Sequence, residues 1–420
     1  MKRNYFIVGL IFLTFFVISL ITNILGPIIP DIISSFNLSL TLAAFLPFSF
    51  FIAYGVMSIP AGILLEKYSE KPVMIGAFMV SLLGALFFSL FPSYIVALIS
   101  LFLIGIGVAI LQVAINPLLR VAGGEEHFAF NSVMAQLVFG GASFISPYIY
   151  SYLVINLKSD NVNDVIINIL KKSIPNNLPW ISLYYLFFIV ILLMIITIAF
   201  SKFPTVVKKE DEKAGTWDTH KKLFKNKTVI LFFLGIFAYV STEQGVSNWI
   251  SQFLKTYHGY DPQTVGASVV SSFWGLMTIG CILGLVLLKI IDSRKVLIIF
   301  SLAAMIFLGL AFFGSGEMAL FAFPAVGFSA SVMWSIIFSL ALNSLDSHHG
   351  SFSGILCTGI IGGALMPVII GWLGDLFGLR TGMLFLYIPL GYIFSIGFWA
   401  KPIIVNETIK IKKSKKKDNI

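Results

Sequence analysis

The chain has 420 residues, 58% of them hydrophobic and 11% charged, and a net charge of +9. Soluble domains carry about 25% charged residues, so this composition excludes a water-facing globular surface. Mean hydropathy is +0.96, and apolar runs exceed the roughly 18 residues needed to cross a bilayer core. The expectation is an all-α polytopic membrane protein, since the short alternating segments of a membrane β-barrel are missing from the sequence.

In chain order, apolar runs broken by Gly, Pro and charge predict twelve transmembrane helices. They cover about 5–33, 41–65, 73–91, 93–119, 128–155, 180–201, 228–254, 264–289, 295–314, 317–344, 351–377 and 381–404. The start, MKRNYFIVGLIFLTFFVISLI, has the basic residues and apolar run of a signal peptide but no A-x-A-like cleavage site, so it reads as an uncleaved first span. Residues 1–203 form an N-terminal six-helix bundle in this reading, and 204–227 a cytoplasmic linker. Residues 228–405 form the C-terminal six-helix bundle, and 406–420 a basic cytoplasmic tail.

Charge sets the orientation. With the N-terminus inside, all of the 28 Lys and Arg residues lie inside except Lys158, Lys171, Lys172, Lys255 and Arg380. The positive-inside rule then puts both termini in the cytoplasm, with the chain in the cell membrane. Basic clusters placed this way match a lipid bilayer rather than nucleic acid. Cys281 and Cys357 fall inside spans without metal-ligand neighbours, which predicts free thiols. No cofactor or metal site is expected, His348 and His349 having no further ligands nearby in sequence, and no P-loop is present. The chain is expected to act as a monomer.

The halves echo one another. GILLEKYSEK follows span two and LLKIIDSRK ends span eight; GGASFISP closes span five and GGALMP lies in span eleven. Asn116 near the end of span four has a counterpart in Asn343 near the end of span ten. Two parallel repeats joined by a basic loop describe a transporter architecture with its site between halves near the midplane.

Polar side chains inside lipid must face other helices or a wet cavity, so they mark the pathway. Gln112 and Asn116 lie four apart on one face of span four, with Pro117 predicted to disturb the helix beside them. Gln136 stands out in span five among Ser132, Gly140, Ser143 and Pro147 as a large multiple hydrogen bonder, the small residues being explained by helix packing. Span seven carries YVSTEQGVSNWIS, in which Glu243 lies about two residues from the helix centre, close to the midplane at 1.5 Å per residue. Gln244, Asn248 and Gln252 give this helix a broad polar face, and Trp249, Trp274 and Trp334 are aromatic candidates near it. Amides that bond hydroxyls and indoles that stack on an apolar ring face suit a neutral polyhydroxylated ligand. A charge at mid-membrane costs roughly 2.5–3.5 kcal/mol, most of which protonation removes. Glu243 has no Lys or Arg near the middle of any span as counter-ion, which leaves a neutral carboxyl or a bound cation. A structural role, as a hydrogen-bond donor between helices, stays open.

The loop Gly62-Ile-Leu-Leu-Glu66-Lys67-Tyr-Ser-Glu-Lys71 resembles the loop between helices two and three of the major facilitator superfamily. The second copy departs from that pattern, with Lys289 where an acid is expected and Asp292-Ser-Arg294-Lys295 at its end. The resemblance implies that these loops gate the cytoplasmic side and do not bind substrate. LQVAINPLLR, the span-five sequence through Gln136, the stretch from Phe338 to Asp375, YVSTEQGVSNWISQFLKTYHG and FWGLMTIG resemble the fucose:proton symporter family of sugar transporters. That resemblance runs through essentially all twelve spans. It implies import of a hexose, deoxyhexose or related sugar by alternating access, driven by a proton gradient, with no enzymatic activity. The polar and aromatic positions within the spans give a candidate substrate site of Gln112, Asn116, Gln136, Gln244, Asn248, Trp249, Trp274 and Asn343. The family carries an aspartate in helix one and a glutamate in helix four for coupling and binding, and Gly26 and Gln112 stand there in this sequence. Either Glu243 has taken over coupling, or the ion differs (sodium for proton), or the chain is a uniporter. An exporter of drugs or metabolites on the same fold is the competing function.

Overall fold

The computed structural model describes residues 4–124, 127–159, 164–175, 177–204 and 217–403. The expected basic tail over 406–420 and most of the expected linker over 204–227 lie outside these residues.

Among the described residues, twelve helices are long and apolar enough to cross a membrane. Spans 1 to 6 are Tyr5–Phe36, Leu40–Tyr68, Glu70–Leu90, Tyr94–Gly123, Phe130–Lys158 and Pro179–Phe200. Spans 7 to 12 are Lys227–Ser247, Pro262–Ile290, Ser293–Phe313, Gly316–Leu342, His349–Phe377 and Leu379–Trp399. Each overlaps a run predicted from hydropathy. Two local differences bear on the site.

Span 7, expected to be continuous to residue 254, breaks after Ser247 and resumes as Ile250–His258. Asn248 sits at the break and its Nδ2 donates to the Gln244 carbonyl at 2.9 Å, so a side chain there competes for backbone acceptors. Span 1 breaks at the matching place, between Thr22 and Leu25, with Asn23 as its cap. Pro27 has no N–H for the Asn23 carbonyl four residues back, which explains this second break. Pro117, by contrast, is carried inside a helix that runs unbroken from Tyr94 to Gly123. The disturbance predicted there does not end the helix.

The two halves repeat one packing scheme. In the first, span 4 packs on spans 2 and 3, span 3 on span 6, and span 1 on span 5. In the second, span 10 packs on spans 8 and 9, span 9 on span 12, and span 7 on span 11. Spans 2 with 11 and 5 with 8 join the halves. Small residues permit that contact: Phe144 packs where a Cβ on Gly275 would sit, and Thr278 where one on Gly140 would sit.

We call the face where span 1 begins and span 12 ends the termini side. On the opposite, far side, polar contacts hold the halves together. Asp375 of span 11 accepts the Leu40 and Thr41 N–H groups, both at 2.9 Å, so a carboxylate of one half caps the start of span 2 in the other. Gln263 donates to Asp31 at 3.1 Å, and Lys255 to Ser34 at 3.3 Å. A short helix, Val165–Ser173, lies outside the spans, capped by Asp164. The Tyr152 hydroxyl, donating at 2.9 Å, holds the Asp164 carboxyl below its usual range, with the Ile166 and Ile167 N–H groups acting in the same direction.

Candidate functional site

A cavity of about 640 Å³ lies between the two bundles. Its lining includes Thr22 and Asn23 at mid-span 1, and reaches Leu285, Leu288, Leu342 and Asn343 at the termini-side ends of spans 8 and 10. With the far side held by the contacts above, the cavity faces the termini side.

Of the residues singled out in the sequence, Gln112, Gln136, Glu243, Gln244, Trp274, Trp334 and Asn343 line this cavity. Gln112 is held from span 2, because the Tyr54 hydroxyl donates to its Oε1 at 2.9 Å. That bond leaves the Gln112 NH₂ group free to donate into the cavity. Glu243 receives the Gln244 Nε2 at 2.9 Å and the Tyr239 hydroxyl. Among the described residues it is the one carboxyl side chain on the cavity wall. Trp274 lines the wall but is 4% exposed, and its Nε1–H is buried with no partner among the described residues. Trp334 stacks on Phe338 at 5.9 Å between ring centroids and meets the Tyr239 ring edge-on at 5.8 Å.

Three expected residues do not line the cavity. Asn116 lies one turn from Gln112 toward the termini side, and its Nδ2 turns back to the Gln112 carbonyl at 3.5 Å. Asn248 is 2% exposed and committed to Gln244. Trp249 is fully buried, next to the helix break. The last two departures have one cause: the four-residue spacing in YVSTEQGVSNWIS assumes a straight helix, and the break at Asn248 turns the polar stripe off the cavity.

The structure adds residues that hydropathy concealed. Asn23 donates to the Ser143 Oγ at 2.7 Å, and the Ser143 and Ser19 hydroxyls lie 2.6 Å apart, linking spans 1 and 5 beside the cavity. Tyr54, Tyr239, Cys281 and Ser331 also line it. The signal for Asn23 was present, an amide four residues before a proline in an apolar span, but single amides pass easily as packing groups.

The loops expected to gate lie at the termini-side ends of the helices. Gly62 is buried in span 2, and Glu66 and Lys67 are exposed at its end. Lys71 donates to the Ala199 and Ser201 carbonyls at 2.8 Å each, capping span 6 with positive charge. In the second copy Arg294 grips Asp292 through Nε at 3.1 Å and Nη2 at 3.2 Å. That grip holds the Asp292 carboxyl below its ordinary range. Lys295 is exposed.

Two six-helix bundles around a central cavity open to one face fit a membrane transporter, not an enzyme. The sequence pattern of the Major Facilitator Superfamily matches residues 11–360, and the chain belongs to that family. It is 31% identical to a glucose/galactose transporter of Brucella abortus, over 93% of each chain. It is 26% identical to the L-fucose-proton symporter of Escherichia coli, over 90% of this chain and 89% of the symporter. Among solved structures, the E. coli fucose:proton symporter superposes with a TM-score of 0.68 at 23% identity, covering 95% of this chain and all of the other. A bacterial homologue of the lysosomal transporter Spinster, in an inward-facing conformation, gives 0.74 at 15% identity, covering 94% and 97%.

Proposed function

We propose that the chain imports a neutral sugar, a hexose, deoxyhexose or close relative, by alternating access with proton coupling through Glu243. The observation that carries the reading is the cavity wall itself. Gln112, Gln136 and Asn343 offer amides, Trp274 offers an indole ring, and the Glu243 carboxyl stands among them. A monosaccharide presents hydroxyls to such donors and acceptors and an apolar ring face to indole. The names of the relatives agree with this chemistry. A drug exporter calls for a greasier cavity with several acids. In this reading both termini are cytoplasmic, the protein sits in the cell membrane as a monomer, and the structure is the inward-open state. Sodium is the alternative coupling ion. The bundle limits at 203 and 228 and the gating role of the 62–71 and 292–295 loops belong to the same proposal.

Cys281 supplies the test, since its thiol lines the cavity. Alkylation of Cys281 in the purified Cys357→Ala protein is expected to slow several-fold with millimolar glucose, galactose or fucose, and not with a sugar alcohol of equal osmolarity. If no monosaccharide in a broad panel protects the thiol, the cavity does not bind sugar.

A further inference from the structure

The breaks in spans 1 and 7 meet at the far-side roof of the cavity. A Cβ placed on Gly26 would lie 2.3 Å from the Ser247 carbonyl oxygen and 3.4 Å from the Asn248 Cα. No side chain fits at position 26 while the far side is closed. A chain of hydrogen bonds runs from the same break toward the cavity. Asn248 Nδ2 donates to Gln244 Oε1 at 3.2 Å, and Gln244 Nε2 donates to Glu243 Oε1 at 2.9 Å. Asn248 and Gln244 are 2% and 3% exposed, so water does not compete for the bond between them.

We infer that Gly26 and Asn248 are positioning residues of the far-side gate. Gly26 is the notch that receives the Ser247 carbonyl on closure, and Asn248 ties the state of the Glu243 carboxyl to the helix break that fills the notch. Neither residue touches the cargo, and Gly26 acts by having no side chain.

The amide chain has a direction, which makes it a relay. Every bond in it donates toward the carboxylate: Asn248 to Gln244, Gln244 to Glu243, with Tyr239 donating from the other side. A protonated Glu243 that turns its O–H toward Gln244 needs an acceptor there, so the Gln244 amide must turn over. Its NH₂ then faces the Asn248 NH₂, two donors meet, and the side-chain link is lost, leaving Asn248 only its bond to the Gln244 carbonyl. Tyr54 of span 2 and Cys281 of span 8 are the other ionisable side chains facing Glu243. The notch is purely geometric, whereas the relay rests on Glu243 as the coupling group.

The test uses labelling of Cys281 by a membrane-impermeant maleimide, applied from the far side to sealed vesicles of the full chain carrying Cys357→Ala. Gly26→Ala is expected to raise far-side labelling about fivefold or more, as the closed gate is disfavoured. Gly9→Ala, where added bulk meets nothing within 4 Å, is expected to leave it unchanged. Labelling from the termini side reports that each variant is folded with its cavity intact. Glu243→Gln is expected to change the far-side rate, and to lose that effect when Asn248→Ala is also present. Equal rates for Gly26→Ala and Gly9→Ala overturn the notch. A Glu243→Gln effect that survives Asn248→Ala, or no effect at all, overturns the relay. The assay needs neither a sugar nor a gradient, so its outcome holds even if the cavity binds no sugar.

Discussion

Glu243→Gln is expected to exchange sugar across the membrane at close to the wild-type rate while losing gradient-driven accumulation. The carboxyl is the one acid on the cavity wall among the described residues, so no neighbour there inherits its role. Glutamine keeps the size and shape of the side chain, so the cavity persists. What it cannot do is take up and release a proton or hold a cation. Couplings between sites are typically 1–3 kcal/mol, so the loss in the accumulation ratio is expected to be about tenfold. Counterflow and uptake in the same proteoliposomes check both halves of the statement. Accumulation unchanged in Glu243→Gln removes this residue from coupling, and exchange lost together with accumulation marks it as structural.

Two buried tryptophans, Trp274 on the cavity wall and Trp249 at the span 7 break, are expected to differ in their effect on sugar affinity. Trp274→Ala removes a largely buried ring from the cavity wall, and is expected to raise the half-saturating sugar concentration about tenfold in addition to a stability cost of about 3–5 kcal/mol. Trp249 is fully buried away from the cavity, so Trp249→Ala leaves a void and is expected to cost about 3–5 kcal/mol of stability. In the surviving Trp249→Ala protein, sugar affinity is expected to stay near wild type. Counterflow kinetics on the folded fraction of each variant separate the two. A Trp274→Ala variant with normal affinity contradicts the site.

Hydropathy made the fold legible because lipid imposes a simple rule on the sequence. A span must be apolar for about 20 residues, and the interruptions by Lys, Asp, Gly and Pro mark the ends. The repeat was legible too, in GILLEKYSEK and LLKIIDSRK and in the GGA–P patterns of spans five and eleven. The site was legible only in part. Gln112, Gln136 and Glu243 stand in helices that stay regular around them, so spacing placed them well. Asn248 and Trp249 sit at a break that no proline announces, where the Asn248 side chain bonds back to Gln244. Residues Asn23, Tyr54 and Tyr239 were missed because an isolated amide or phenol in an apolar run carries no periodic signal. For two of them the role comes from partners far away in sequence, Ser143 for Asn23 and Gln112 for Tyr54. Gly26 carries no periodic signal, and only its packing against Ser247 shows what its lack of a side chain permits.

Sugar counterflow tests the central claim most directly. Proteoliposomes preloaded with unlabelled glucose, galactose or fucose and diluted into labelled sugar require only a cavity that binds sugar and opens to each side in turn, whatever the coupling ion. A transient overshoot of label with at least one of these sugars, abolished by Trp274→Ala at low concentration and retained in Glu243→Gln, is the expected result. No overshoot with any monosaccharide, at any pH or sodium concentration, contradicts the account.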